Sequence, residues 1–105
     1  MSDARESVLE YAPHADVAII DKMAATYRLA LSNRDASLVS ASDPEELKTV
    51  RENFLKKKLG LTESDADLDK AIAEVIAAMK NGKPNPRLAV YYLLAEKFGK
   101  LDVLK

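Results

Sequence analysis

A cluster of cations is the feature of this sequence best suited to binding chemistry. Residues 48–58 carry a single carboxylate, Glu52, and five cations: Lys48, Arg51, Lys56, Lys57 and Lys58. A surface that follows the phosphates of a nucleic acid has this composition. The last turn of a solvated helix has it too, because cations offset the negative pole of the helix and their stems cover apolar surface. We favour the helix end and keep a weak nucleic-acid binder as the alternative.

Alternating aspartates in the segment DADLD resemble the first ligands of a calcium-binding EF-hand loop: Asp65, Asp67 and Asp69. Such a loop needs glycine at its sixth position and a bidentate glutamate at its twelfth. The sequence has Lys70 and Ile76 at those positions. We therefore interpret the aspartates as an acidic first turn that complements a helix dipole, and we expect no metal site.

Groups for catalysis are sparse. His14 is the only histidine and there is no cysteine, so a thiolate metal site and a disulfide are both excluded. Ser37, Ser40 and Ser42 lie outside any G-x-S-x-G turn, and the three glycines form no phosphate-binding loop. We expect no catalytic residue, no cofactor and no enzymatic activity, and we interpret His14 as a surface or turn residue.

Tyr91 and Tyr92 are adjacent in the most apolar segment, LAVYYLLA. Neighbours on a helix point about 100° apart, so at most one of them can occupy the centre of a narrow interface. We expect the rings to line the core, with each hydroxyl reaching a partner or water. The alternative is an aromatic patch that faces another protein.

Helical periodicity, together with capping and helix-breaking residues, predicts the elements that position these residues. No segment alternates with period two over the length of a strand, so we predict an all-α bundle of four main helices after a short N-terminal one. The third helix has Asp43 as N-cap, Pro44 at its first position and Glu46 as the capping-box partner. The fifth is apolar nearly all round and is expected to be central. The predicted helices are about Asp3–Tyr11, a second that Asp16 caps and that runs to about Asn33, and then Pro44–Leu59, Ala66–Lys80 and Pro86–Phe98.

Two segments repeat one ending: NFLKKKLGL places Gly60 two residues after a lysine, and YLLAEKFGKL places Gly99 likewise. Each glycine is predicted to end a helix with positive φ, with Leu61 and Leu101 folding back onto the core. The segments DKMAATYRLALSN and DKAIAEVIAAMKN also align. These two internal sequence similarities lead to the hypothesis of two duplicated helical hairpins.

Length and charge set the broad class. One hundred and five residues fit a single domain, 1–105, and the net charge of −1 argues against a dedicated polyanion binder. The N-terminal segment lacks the pattern of a signal peptide, and the longest apolar run, 88–95, is far shorter than a membrane span. We expect a cytoplasmic protein.

Two blocks, DASLVSASDPEELKTVRENFLKKKLGL and AVYYLLAEKFGKL, resemble a bacterial domain-of-unknown-function family, number twenty-eight fifty-three. The resemblance covers about residues 35–61 and 89–101. It implies a small helical bacterial protein and supplies no activity, cofactor or catalytic residue.

The functional expectation is a non-enzymatic interaction or structural module. Self-association as a homodimer is one form of it, because the apolar fifth helix offers more surface than so short a chain is expected to cover. The alternatives are a weak nucleic-acid binder, whose affinity would fall steeply with salt, and a small-molecule binder in the helical core.

Overall fold

Five α-helices carry the fold in the computed structural model, which describes residues 3–27, 38–39, 44–79 and 85–104. They are α1 (Asp3–Tyr11), α2 (Val17–Thr26), α3 (Pro44–Thr49), α4 (Asp65–Ala78) and α5 (Arg87–Lys97). α3 continues directly into a π-helix, Val50–Lys58, and a 3₁₀ helix, Leu101–Leu104, follows α5. The predicted all-α fold is confirmed. The predicted end of the second helix, the Asp43 cap, and Ser37, Ser40 and Ser42 lie outside the described residues.

A short pair of strands was not predicted. β1 (Leu38–Val39) pairs antiparallel with β2 (Asn85–Pro86), with Leu38 opposite Pro86 and Val39 opposite Asn85. Two residues are too short to produce an alternating pattern, which is why the sequence did not reveal them. Pro86 therefore belongs to a strand and is not the first residue of the fifth helix, which begins at Arg87.

α5 lies at the centre of the molecule, as its composition predicted. It packs against α1, α2, α4 and the π-helix. Its buried residues cover every side of the helix, from Arg87 to Tyr92 together with Leu94 and Ala95. The described helices thus cover this apolar surface within one chain, so the reason given for a homodimer through the fifth helix does not hold.

Side-chain caps fix the starts of two helices. The Asp16 carboxylate accepts a hydrogen bond from the Ala18 amide at 2.9 Å, as predicted. The Ser64 hydroxyl accepts one from the Asp67 amide at 3.2 Å, so α4 begins at Asp65, one residue earlier than expected. The caps satisfy amides that have no partner within the helix.

The π-helix is the main departure from the predicted elements. At its end the Leu59 amide donates to the Phe54 carbonyl, five residues back, at 2.9 Å. At its beginning the Thr49 hydroxyl donates to the Glu45 carbonyl at 3.0 Å, a contact that bends helices. Residues five apart lie nearly above one another in a π-helix, whereas in an α-helix they point about 140° apart.

Both repeated glycines have the predicted conformation, with φ of 68° at Gly60 and 67° at Gly99. After α5 the Lys100 amide donates to the Ala95 carbonyl at 2.7 Å, and the Gly99 amide donates to the Glu96 carbonyl at 3.1 Å. These two bonds form a Schellman motif, which satisfies the last carbonyls of the helix.

The Gly60 cap differs by one residue. The Leu61 amide reaches the Leu55 carbonyl, six residues back, at 3.1 Å, because the preceding helix has the wider π spacing. Leu61 is buried and Leu101 is half-buried, which confirms both expectations. The 3₁₀ helix that follows the Gly99 cap buries Leu104. The superposition of two duplicated hairpins stays a prediction.

Gly60→Val and Gly99→Val should each lower the free energy of unfolding by about 1–2 kcal/mol. A Cβ at either position would meet no atom within 4 Å, so the loss comes from the positive φ alone. The control is substitution by asparagine, which adopts this conformation more readily and should cost less. Urea unfolding followed by circular dichroism measures the difference, and equal losses for valine and asparagine would contradict the explanation.

Candidate interaction site

A groove of about 410 Å³ runs between α3, the start of the π-helix, and α4. It is lined by Pro44, Glu45, Leu47, Lys48, Arg51, Asp69, Ile72 and Ala73. Ile72 is buried at its floor and Leu47 is half-buried. Glu45 and Lys48 are exposed at its edge. The groove therefore combines an apolar floor with charges of both signs, and it includes two of the cations singled out in the sequence.

Arg51 and Lys56 belong to a charged network between the π-helix and α4. Arg51 donates to Asp69 at 3.0 Å and to Glu52 at 2.8 Å. Lys56 lies 2.5 Å from Asp65 and 3.0 Å from Glu52. Three carboxylates thus surround two cations.

The ion pairs of this network shift the pKa values of its members so that the charged form of each is favoured. Hydrogen bonds from Arg51 and Lys56 lower the pKa of Glu52, and the Lys56 ammonium lowers the pKa of Asp65. In return, Asp65 and Glu52 raise the pKa of Lys56. Because these groups lie at the protein surface, each pair adds little to stability. Together the pairs connect α4 to the π-helix.

The π-helix makes this network possible. Arg51 and Lys56 are five residues apart, so the π spacing turns both toward α4, whereas an α-helix would separate them by about 140°. The apolar pairs Val50 with Leu55 and Phe54 with Leu59 have the same spacing, and all four are buried. This repeated spacing of five is the signal that sequence analysis missed.

The basic cluster is therefore divided between two environments. Arg51 and Lys56 are bound to carboxylates, while Lys48, Lys57 and Lys58 make no ion pair with any residue that the structure describes. Lys57 and Lys58 are exposed at the end of the π-helix, as a solvated helix end requires. Lys48 lies away from them, at the edge of the groove.

A buried cation connects α5 to α3. Arg87 donates to the Tyr91 hydroxyl at 2.8 Å and to the Glu46 carboxylate at 2.5 Å. Burial lowers the pKa of Arg87, but Tyr91 and Glu46 more than offset that effect, so the pKa stays above its ordinary value. Glu46, predicted as the capping-box partner of Asp43, binds this cation, and Asp43 itself lies outside the described residues.

The two neighbouring tyrosines are both core residues. The Tyr91 ring stacks on Phe54 with centroids 4.0 Å apart, and the Tyr27 ring meets Tyr91 edge-on at 5.2 Å. Burial raises the pKa of Tyr27 to about 12 and also raises the pKa of Tyr91. The Tyr92 hydroxyl accepts a hydrogen bond from the Asp16 amide at 3.1 Å. Neither ring offers a surface to a partner, as the core interpretation predicted.

The remaining candidates take part in surface pairs. His14 is exposed in the turn after α1, and its Nε2 lies 2.5 Å from Glu96. Asp65 and Asp67 form the acidic first turn of α4 that the sequence predicted. Within residues 3–27, 38–39, 44–79 and 85–104, no three histidine or carboxylate side chains are grouped to hold a metal. None of the helices in these ranges is long and apolar enough to cross a membrane.

Comparison with known protein families extends the resemblance seen in the sequence. The family model described as "Protein of unknown function (DUF2853)" matches residues 3–102, well beyond the two blocks that carry that resemblance. No curated protein matches the chain.

Tyr91→Phe should lower the free energy of unfolding by about 1–3 kcal/mol, because it removes the hydroxyl that accepts a hydrogen bond from the buried Arg87 guanidinium. Tyr92→Phe removes only the acceptor of one amide and should cost about 0.5–1.5 kcal/mol. Urea denaturation of both variants measures the difference. A smaller loss for Tyr91→Phe than for Tyr92→Phe would contradict the importance given to Arg87.

Acid should weaken the network between the π-helix and α4. Glu52 and Asp65 have pKa values below their ordinary 4.5 and 3.8, so the unfolded chain binds more protons and their contribution is lost as the pH falls through that range. Lys56→Gln removes the common partner and should flatten the fall in unfolding free energy between about pH 5 and 3. Lys57→Gln is the matched control. Identical pH profiles for both variants and the native protein would argue against the network.

Proposed function

The chain belongs to DUF2853, a family of unknown function, and from the geometry we propose that it is a non-enzymatic interaction module that binds a protein in the groove between α3 and α4. The observation that carries the proposal is the groove's combination of an apolar floor with a rim of both charges. The bacterial origin that the resemblance implies and the expected cytoplasmic location are parts of the same proposal.

The composition of the groove supports a protein partner. Protein interfaces have a desolvated apolar centre and a polar rim that sets orientation and partner choice. Leu47, Ile72 and Ala73 supply apolar surface, and Lys48 and Glu45 stand at the edge. A helix laid between two helices would bury the half-exposed Leu47 and meet these charges.

Nucleic-acid binding has less support. A phosphate-binding surface needs cations that are available to phosphates, and Arg51 and Lys56 already contact three carboxylates. Lys57 and Lys58 are exposed, but the neighbouring Lys56 lies against the carboxylates of Glu52 and Asp65. The repulsion from those carboxylates would oppose a polyanion at this surface.

A photo-crosslinking amino acid at Ala73 should capture a protein partner in cells of the source organism, because Ala73 lines the groove and is exposed. Leu47→Asp in the same protein should abolish the adduct by placing a charge on the apolar floor. Gel electrophoresis and mass spectrometry of the adduct measure the outcome.

A crosslinker at Lys57 is the matched control, since Lys57 is exposed outside the groove. Equal capture from both positions, or capture at Ala73 that survives Leu47→Asp, would contradict the proposed surface. Tight, salt-sensitive binding of nucleic acid that is lost when Lys57 and Lys58 become Gln would favour the alternative function.

A further inference from the structure

We infer that the partner in this groove is an amphipathic helix of another protein, which covers Leu47 with its apolar side and places a carboxylate against the Lys48 ammonium. The inference rests on the proposed function, because it names the chemistry of the partner that the same groove binds.

The charged residues that line the groove differ in whether their own chain already engages them. Arg51 donates to both carboxylate oxygens of Asp69, at 3.1 and 3.0 Å, so this cation and this anion offset each other. Glu45 also has an interaction within its own chain. Lys48 is exposed and makes no ion pair with any residue that the structure describes. The Lys48 ammonium is therefore the charge that a partner has to meet.

Covering Lys48 without an anion would oppose binding. A partner that packs on Leu47 also lies beside Lys48, the next residue along α3, and removes part of its ammonium from water. A charge that loses water needs an opposite charge in return. A carboxylate on the partner provides it, whereas a lysine or arginine at that place would bring like charges together. The groove thus selects for an acidic residue at this edge.

The walls of the groove favour a helix over an extended peptide. The lining residues given above all belong to helices, namely α3, the π-helix and α4. None of these residues is part of a strand, so they offer no sheet edge to which an extended peptide could add. Recognition must then come from side chains, as it does when an amphipathic helix lies in the groove between two helices.

Apolar contacts are available along both walls. Pro44 and Leu47 are three residues apart on α3, and Ile72 and Ala73 lie across the groove on α4. Ile72 is buried, Leu47 is half-buried, and Pro44 and Ala73 are exposed. Apolar side chains at three- and four-residue spacing on the partner would cover this surface. The small side chain of Ala73 lets the backbone of that helix approach closely.

Selection from a library of helical peptides displayed on phage tests the inference. Each peptide has leucines along one side and randomised residues at the edges of that side. The immobilised full-length protein should enrich peptides with aspartate or glutamate at one edge position. Lys48→Glu should enrich lysine or arginine there instead, because the charge of the rim is reversed. Leu47→Asp should eliminate the selected peptides, because it places a charge under their apolar side.

A charge swap in one selected peptide measures the contact by fluorescence anisotropy. On the native protein, replacing the carboxylate of the peptide by lysine should weaken binding at least about tenfold. The same replacement should strengthen binding to Lys48→Glu. Lys57→Glu is the matched control, with the same change in charge at an exposed position outside the groove, and it should bind the acidic peptide as the native protein does. Circular dichroism checks that each variant is folded.

Failure to enrich any peptide, enrichment without a charge preference, a preference that survives Lys48→Glu, or selected peptides that still bind Leu47→Asp would each overturn the inference. Self-association of the native protein that Leu47→Asp abolishes, measured by analytical ultracentrifugation, would also overturn it, because the groove would then hold a second copy. If the crosslinker at Ala73 captures a protein, and Leu47→Asp abolishes the adduct while Lys48→Glu leaves it intact, the proposed function stands without the acidic helix.

Discussion

Folding removes the guanidinium of Arg87 from water, and its pairing constrains much of the rest of the molecule. Arg87 is 7% exposed at the first residue of α5, where an unpaired cation would be strongly destabilising. Glu46 and the Tyr91 hydroxyl provide the partners, so α3 must lie where its carboxylate reaches α5. Tyr91 in turn must hold its ring flat against Phe54. One buried cation thus determines both the position of α3 and the side of the next helical segment that faces the core.

The π-helix fits the spacing of its own buried residues. Val50, Phe54, Leu55 and Leu59 all reach the core, and the spacing of five within this set suits a π-helix better than an α-helix. The same spacing directs Arg51 and Lys56 to the carboxylates of α4. In the sequence, this run of cations suggests a phosphate-binding surface. In the structure, part of it forms ion pairs between the π-helix and α4.

Features that depend on neighbouring residues could be predicted from the sequence, whereas contacts between residues far apart in the chain could not. The Asp16 cap and the conformations of Gly60 and Gly99 were predicted correctly, because each depends on the residue type and its immediate neighbours. Glu46 was assigned to its own helix terminus, yet it binds Arg87, 41 positions away. No local pattern encodes that choice. The groove could not be predicted from the sequence either, because Leu47 and Ala73 belong to one surface only after α3 and α4 have packed together.

The change from α to π spacing also explains where an exposed surface is left on this helix. In α3, the three- and four-residue spacing gathers Pro44, Leu47 and Lys48 on one side, beside α4. Beyond Thr49 each turn holds more residues, so the following cations rotate toward α4 and are paired there. One continuous helix is thereby divided into an N-terminal part that exposes Glu45 and Lys48 at the groove and a C-terminal part whose cations are partly bound within the chain. The Gly60 cap then ends the π-helix and turns the chain back so that Leu61 is buried. The repeated glycine segments thus have an architectural role, and the groove lies at the N-terminal part of the helix, before Lys56–Lys58.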